Sequence, residues 1–383
     1  MTSALSTASD AVPVAQIPFT IASRPMRRFS NQQTVSNLNA TSFAPIPLPA
    51  TGMVRKIGLL FTFTGTCASA GAVVAGDGPW NLISGITLTD ATGQPIFQPI
   101  SGYNLYLINK YLPTGIENSQ FRMLPFNNPH LGPEFAFSAT STAFTASFRL
   151  DLELEIDPRS GYGCVPNLDA NASLQLKIDA APYSVAFSGT TVSAASLSVT
   201  VEQSYWAPVQ GGPGVSLETL PPGFGDFTEW RYETQVANAA SENTSALSAK
   251  GGLIKGIILV SRAAGVRTAL TAGSNIGLVF DNTAIDEGVR LESHLDYMRR
   301  SSGHFGAELA TSYAPLSAGV LSGLDRGVIV WNFDSLSEGR ESWLNTKPGT
   351  QLQVKFTPGA SATQVEFITG LGQIRFADEF YRR

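Results

Sequence analysis

The stretch FTASFRLDLELEI, residues 144–156, constrains the fold more than any other part of the chain. Phe144, Ala146, Phe148, Leu150, Leu152, Leu154 and Ile156 fall on one side of an extended backbone. Thr145, Ser147, Arg149, Asp151, Glu153 and Glu155 fall on the other. Strict period-two alternation of this length predicts a strand with one buried and one solvated face, as in an antiparallel sheet of a sandwich. Similar logic predicts strands at LSVTV (197–201), IGLVF (276–280) and VIVWNF (328–333).

Several strands come in pairs. ASLQLKID at 172–179 resembles TQLQVKFT at 350–357, and VRKIGLLFTF at 54–63 resembles LIKGIILVSR at 253–262, with a lysine in the same place and a glycine nearby. Between the members of each half lies a strand, a turn and a helical pattern. SGYNLYLINKYL (101–112) sets Tyr103, Tyr106, Leu107 and Tyr111 near one face behind a Ser N-cap, and VRLESHLDYMRR (289–300) sets Leu291, Leu295 and Met298 on one stripe. Three matched pieces in the same order predict a duplicated β-sandwich. The expected fold is all-β: two tandem jelly-roll β-sandwiches, a double jelly roll, with a few short helices. An immunoglobulin-type sandwich needs fewer residues per unit and no helix between strands.

A chain of 383 residues is long enough for two cores. The expected division is an extended N-terminal arm at 1–50, a first jelly roll at 51–206, a Pro/Gly-rich linker at 207–227, and a second jelly roll with C-terminal tail at 228–383. Only 14% of residues are charged and the net charge is −5. A nucleic-acid binder would carry a clustered basic face, so direct genome binding is not expected. The arm is the exception in sign: Arg24, Arg27 and Arg28 against Asp10 leave it at +2, and the rest of the chain carries −7. In RPMRRF, Met26 and Phe29 sit beside Arg24, Arg27 and Arg28, a basic and apolar mixture suited to an anionic lipid surface or to a neighbouring subunit.

Chemistry-bearing patterns are sparse. No P-loop, nucleophile elbow or H-E-x-x-H motif occurs. His130, His294 and His304 are the only histidines, and their spacing matches no usual zinc pattern, so neither metal nor cofactor is expected. Asp151, Glu153 and Glu155 could flank a glycosidic bond, but strand geometry alone brings such neighbours that close, and a solvated strand face is the plainer reading. Cys67 and Cys164 are expected to be buried free thiols. Sequons at Asn39, Asn171 and Asn243 carry little weight, because the N-terminus lacks the pattern of a secretory signal. An enzyme is not expected.

The segment GPWNLISGITLTDATGQPIFQPISGYNLYLIN, residues 78–109, resembles the major capsid proteins of tailless, internal-membrane phages of the tectivirus type. The likeness rests on Gly78-Pro79, Asn81-Leu82, the strand with its Asp/Gly turn, and Ser101-Gly102 opening the helix that runs to Asn109. It continues through IGLVFDNTAIDEG and the final strands up to Phe376. The resemblance implies a non-enzymatic structural virion protein, made in the host cytoplasm. Its homotrimers of pseudo-hexagonal outline would tile an icosahedral shell over internal membrane lipids, with minor capsid and vertex proteins as further partners. The family's long N-terminal helix is not expected here, because Pro13, Pro18 and Pro25 interrupt the arm. The alternative is a two-sandwich glycan-binding spike or adhesin using Trp206, Trp230 and Trp343 as sugar platforms. A third reading is a double-jelly-roll hydrolase using carboxylates.

Overall fold

A computed structural model describes residues 17–29, 33–36, 42–67, 73–90, 92–96, 98–112, 134–137, 143–157, 161–188, 192–207, 220–223, 226–249, 251–281, 283–304, 306–309, 312–313, 323–335, 342–346 and 351–373. Asn39, His130, most of the Pro/Gly-rich junction and the tail beyond 373 lie outside these residues.

In the first half a helical turn, α1 (Phe19–Ala22), precedes β1 (Pro25–Phe29), β2 (Gln33–Ser36) and β3 (Ile46–Pro47). The long strand β4 (Gly52–Cys67) comes next, then β5 (Val73–Ala75), β6 (Ile83–Thr89), helix α2 (Gly102–Tyr111) and β7 (Glu134–Phe137). The half is completed by β8 (Ala143–Glu153), β9 (Val165–Asn167), β10 (Gln175–Ala180), β11 (Phe187–Ser188) and β12 (Val192–Trp206). The large sheet runs β1-β12-β4-β8-β7, with β2 also on β12 and β9 on β4, and the small sheet runs β3-β10-β6.

The second half repeats the plan with β13 (Phe227–Val236), β14 (Asn243–Ala246), β15 (Leu253–Ala263), β16 (Val266–Arg267), β17 (Asn275–Phe280) and β18 (Thr283–Arg290). Helix α3 (Leu291–Ser302) leads to β19 (Gly306–Leu309), β20 (Ser312–Tyr313), β21 (Gly323–Asp325), β22 (Val328–Asn332), β23 (Leu344–Asn345), β24 (Leu352–Phe356) and β25 (Gln364–Gln373). Its large sheet runs β13-β25-β15-β16 with β22 and β23 also on β15, and its small sheet runs β14-β24-β17-β18. The paired sequences occupy matching places. β4 and β15 each pair with the last strand of their half, and β10 and β24 each sit in the middle of a small sheet.

The alternating segment folds as its pattern predicts on the apolar side, from Phe144 to Ile156, all buried. Phe148 stacks on Phe61 with ring centroids 5.1 Å apart, and Phe144 meets Phe63 edge-on at 5.0 Å. These cross-strand aromatic pairs follow from the register that sets Phe61 opposite Phe148. The polar side departs from expectation. Thr145 is exposed, but Glu153 and Glu155 are buried, because the second half and the α1 cluster cover that end of the strand. The strand itself stops at Glu153.

Helix α2 starts where the N-cap predicts, with Ser101 Oγ accepting from the Asn104 amide at 3.2 Å. Helix α3 starts later than its apolar stripe suggests, since Val289 and Arg290 close β18 in a hairpin with β17. Within residues 1–50 the described strands belong to the sheets: β1 and β2 hydrogen-bond to β12, and β3 to β10. Ladder hydrogen bonds need no apolar periodicity, so a short edge strand such as PMRRF leaves little trace in sequence.

Candidate functional site: the seam and the arm

One face of α2 lies on its own sheet, where the Asn109 amide donates to the Asp151 carbonyl at 2.7 Å. Its other face meets the second half. Lys110 donates to Asp325 at 2.6 Å and to the Gly323 carbonyl at 2.7 Å, and the Tyr111 hydroxyl donates to Asp325 at 2.9 Å. Lys110 and Asp325 are both buried. Burial alone would push the Asp325 carboxyl up, but Lys110 and Arg267 outweigh it and hold the group below the usual carboxylate range. Burial pulls the Lys110 ammonium down, and Asp325 offsets part of this.

A second set of charges continues the seam. Asp77, in the turn after β5, accepts from Arg267 at 2.7 Å and from Arg262, and Arg262 also donates to Glu366 at 2.7 Å. The ring of Tyr103 lies 5.4 Å from the Arg262 guanidinium and 5.5 Å from that of Arg267. Glu153 stands 3.9 Å from Lys255, and Tyr162 donates to Asp226 at 2.6 Å. Strand β20 of the second half pairs with β5 of the first, so the seam also carries a shared ladder. Buried ion pairs add little net stability against a well-packed apolar core, yet each fixes where its two elements must meet. The arrangement can therefore hold two sandwiches in one relative orientation. The carboxylates considered for hydrolysis serve as structural partners: Asp151 of Lys56 and Arg149, Glu153 of Lys255, and Glu155 of Arg55.

A further cluster anchors the N-terminus. Phe19 of α1 packs with Met53, Cys164 and Trp206, meeting the Trp206 ring edge-on at 6.0 Å. Glu155 accepts from Trp206 Nε1 at 2.8 Å and from Arg55 at 2.7 Å. Burial pushes the Glu155 carboxyl up, with Arg55 opposing, and burial together with Glu155 pushes the Cys164 thiol far up. Cys164 is a free, buried thiol, and this environment keeps it protonated and unreactive. The side chain of Cys67 is outside the described residues.

The five arm residues singled out in the sequence are all exposed, and the structure brings them to one sheet edge. Met26 pairs with Tyr205, Arg27 with Ser204, Arg28 with Gln203 and Phe29 with Glu202, while the Arg24 carbonyl accepts from the Ala207 amide at 2.9 Å. Arg27 is bonded to Glu202. Arg149 reaches the same carboxylate at 3.0 Å by crossing β4 at Gly58, where a Cβ would come within 2.5 Å of its guanidinium. Arg149 also holds Asp151 at 2.9 Å, so an ionic ladder runs over four strands and fastens β1. Ile17 and Ile21, at 36% and 74% exposure, extend the apolar character of this region. They were missed in the sequence because nothing in it shows that Phe19 alone of these residues turns inward. Among the described residues no helix is long and apolar enough to cross a membrane.

His294 of α3 is buried and donates from Nε2 to the Val330 carbonyl at 3.0 Å, with Trp331 and Tyr297 beside the ring. Burial holds its pKa below the ordinary value of about 6.5, against the smaller opposing effects of the Val330 carbonyl and Asp286. The unfolded chain therefore binds the proton more readily, and stability falls as pH drops below about 6.5 until the folded-state pKa is passed. His294→Gln keeps a donor for Val330 and is expected to flatten this acid-side loss. Melting temperatures of both proteins at about pH 7.5 and about pH 5 check it, and an unchanged acid-side drop in the variant would refute it.

Trp206, Trp230 and Trp343, considered as sugar platforms, are buried at 6%, 3% and 5% exposure. Among the described residues no group of histidine, cysteine and acidic side chains is placed to hold a metal ion.

No protein-family model and no curated protein sequence matches the chain. Solved structures match in fold. The crystal structure of the STIV MCP aligns with a TM-score of 0.61 and 12% identity, covering 93% of this chain and 98% of that one. The atomic structure of Sulfolobus Turreted Icosahedral Virus gives a TM-score of 0.60 at 14% identity, covering 94% of this chain and 93% of that one. The Faustovirus major capsid protein gives 0.53 at 8% identity, with 91% and 90% covered. Likeness at such identities speaks to architecture: the chain has the double jelly-roll fold of these structures.

Proposed function

We propose that this chain is a major capsid protein, a structural component of the virion whose copies associate into trimers of pseudo-hexagonal outline and tile an icosahedral shell over an internal lipid membrane. In this reading the units are an arm at 1–50 and sandwiches at 51–206 and 228–383 joined through 207–227, and minor capsid and vertex proteins are its other partners. The observation that carries it is the seam: two similar sandwiches locked in one orientation by buried charges, within a fold shared with capsid proteins. A duplicated sandwich with a fixed internal angle lets three chains present six similar sides, which suits hexagonal packing. Light scattering at micromolar concentration should give a trimer, and electron micrographs should show shells or hexagonal arrays. A monomer at all concentrations would refute the reading.

The membrane part rests on the arm. Arg24 and Arg28 carry exposed guanidinium groups beside Ile21, Met26 and Phe29, whereas Arg27 is engaged by Glu202. Contact with anionic lipid contributes on the order of 1 kcal/mol per arginine, weak for one chain but multiplied across a shell. Replacing Arg24, Arg27 and Arg28 together by Gln is expected to leave trimers intact and weaken binding to anionic liposomes. The double variant Arg24→Gln, Arg28→Gln keeps the Arg27–Glu202 bond and should lose most of the same binding. Undiminished liposome binding by the triple variant, at low and moderate salt, would end the membrane role and favour an arm that packs on a neighbouring subunit.

A further inference from the structure

Spacing alone turns one stripe of α2 towards the second half. Tyr103, Tyr106 and Lys110 are separated by three and then four residues, so they stack along one side of the helix. The lower end of this stripe closes on one oxygen of Asp325. Lys110 and Tyr111 donate to Oδ2 at 2.6 and 2.9 Å, and the Tyr106 hydroxyl stands 3.5 Å from it. The other oxygen is treated differently. Oδ1 is buried and, among the described residues, receives no hydrogen bond. Arg267 Nη1 stands 3.7 Å from it, too far for a direct bond.

The upper end of the stripe carries the complementary group. Tyr103 is 3% exposed, and its hydroxyl has no hydrogen-bond partner among the described residues. Its ring lies 5.5 Å from the Arg267 guanidinium and 5.8 Å from the Tyr106 ring, so the phenol and Oδ1 flank the same arginine. Burial pushes the phenol well above its ordinary pKa, Arg267 opposes the rise, and the charges of Asp325 and Asp77 add to it. The phenol therefore keeps its proton and stays a donor. The Asp325 carboxyl, held below the usual range, stays an acceptor. A hydroxyl and a carboxylate oxygen left unpaired in one buried place each carry a desolvation penalty, which one small shared partner removes.

We propose that the seam holds a single bound water molecule between Tyr103 and Asp325, accepting from the Tyr103 hydroxyl and donating to Asp325 Oδ1. The proton count closes: the phenol has one hydrogen to give, the carboxylate oxygen has none, and water takes the first and supplies the second. An ion answers only half of this. The charges of Asp325 and Asp77 that act on Tyr103 repel an anion, and those of Arg267 and Arg262 repel a cation. A neutral molecule that both donates and accepts meets neither objection, and buried polar groups are commonly bridged in this way. Tyr103 belongs to the first half and Asp325 to the second, so the water is part of the joint rather than of either sandwich. The site stands on the geometry of the seam and does not depend on the capsid reading.

High-resolution crystals of the full chain, grown in turn from sodium chloride, sodium bromide and rubidium chloride, test the site directly. One density peak within hydrogen-bond distance of both Tyr103 Oη and Asp325 Oδ1, without anomalous signal in bromide or rubidium, is the expected result. An anomalous peak there would make the ligand an ion, and no peak, or a protein group in its place, would remove the site; each overturns the proposal. Stability supplies an independent reading through its sign. Tyr103→Phe deletes one hydrogen bond to the water and should raise the unfolding equilibrium constant about five-fold in denaturant titration. A variant as stable as the parent or more so, the result of deleting a hydroxyl that has no partner, overturns the proposal as well.

Discussion

Asp325→Ala is expected to cost about 3–5 kcal/mol, the usual penalty for removing one partner of a buried ion pair. The carboxylate accepts from Lys110 and Tyr111, and Arg267 stands 3.7 Å away. Its loss leaves an ammonium with 1% exposure facing the carbonyl of Gly323 and no anion. Because the lysine belongs to the first half and the aspartate to the second, the damage falls on the seam. Denaturant titration should show the loss, and limited proteolysis should begin cutting between the halves while each sandwich still resists. The double replacement Lys110→Met, Asp325→Leu removes both charges and should recover most of the stability, since apolar groups of similar volume can replace a buried pair at little cost. A single variant less than about 1 kcal/mol below the parent would mean that the pair does not hold the seam.

Phe148→Asp is expected to abolish soluble folded protein, whereas Thr145→Asp is tolerated. Phe148 is 3% exposed and stacked on Phe61. Removing the ring forfeits roughly 1.5–3 kcal/mol of burial, and an unpaired carboxylate in its place adds a desolvation cost of several kcal/mol more. Against a typical total stability of about 5–15 kcal/mol that is close to the whole margin. Thr145 pairs with Thr64 and its side chain faces water. Expression of both variants and the fraction recovered in the soluble phase decide the matter; equal recovery would mean the two faces of β8 are misassigned.

What could be read from sequence was local. The apolar side of 144–156, the Ser101 cap and the repeated pieces each depend on residues close together in the chain, and each is found where its pattern sets it. The polar side of the same strand was misjudged at Glu153 and Glu155, because their cover comes from Lys255, Trp206 and Phe19, all remote in sequence. Asp77 and Asp325 were not singled out for the same reason: an aspartate in a turn or at a strand end looks alike whether it faces water or a buried arginine. Lys56 and Lys255 make the point within the repeat itself. They occupy matching positions in their strands, yet one keeps 27% of its side chain in solvent while the other is wholly buried.

The order of synthesis gives the seam a temporal side. The last strand of the first sheet, β12, ends at Trp206, so that sandwich can close while Lys255, Arg267 and Asp325 are still to be added. At about 5–20 residues per second, the interval before Asp325 leaves the ribosome is on the order of ten seconds. Throughout it Asp77, Lys110 and Glu153 remain hydrated, and the apolar side chains around them have no cover. A nascent chain in that state presents a sticky flank to its neighbours on the same message, which makes polysomes the place where loss to aggregation would concentrate. Slower translation downstream of residue 206 would lengthen the exposure, and faster translation would shorten it.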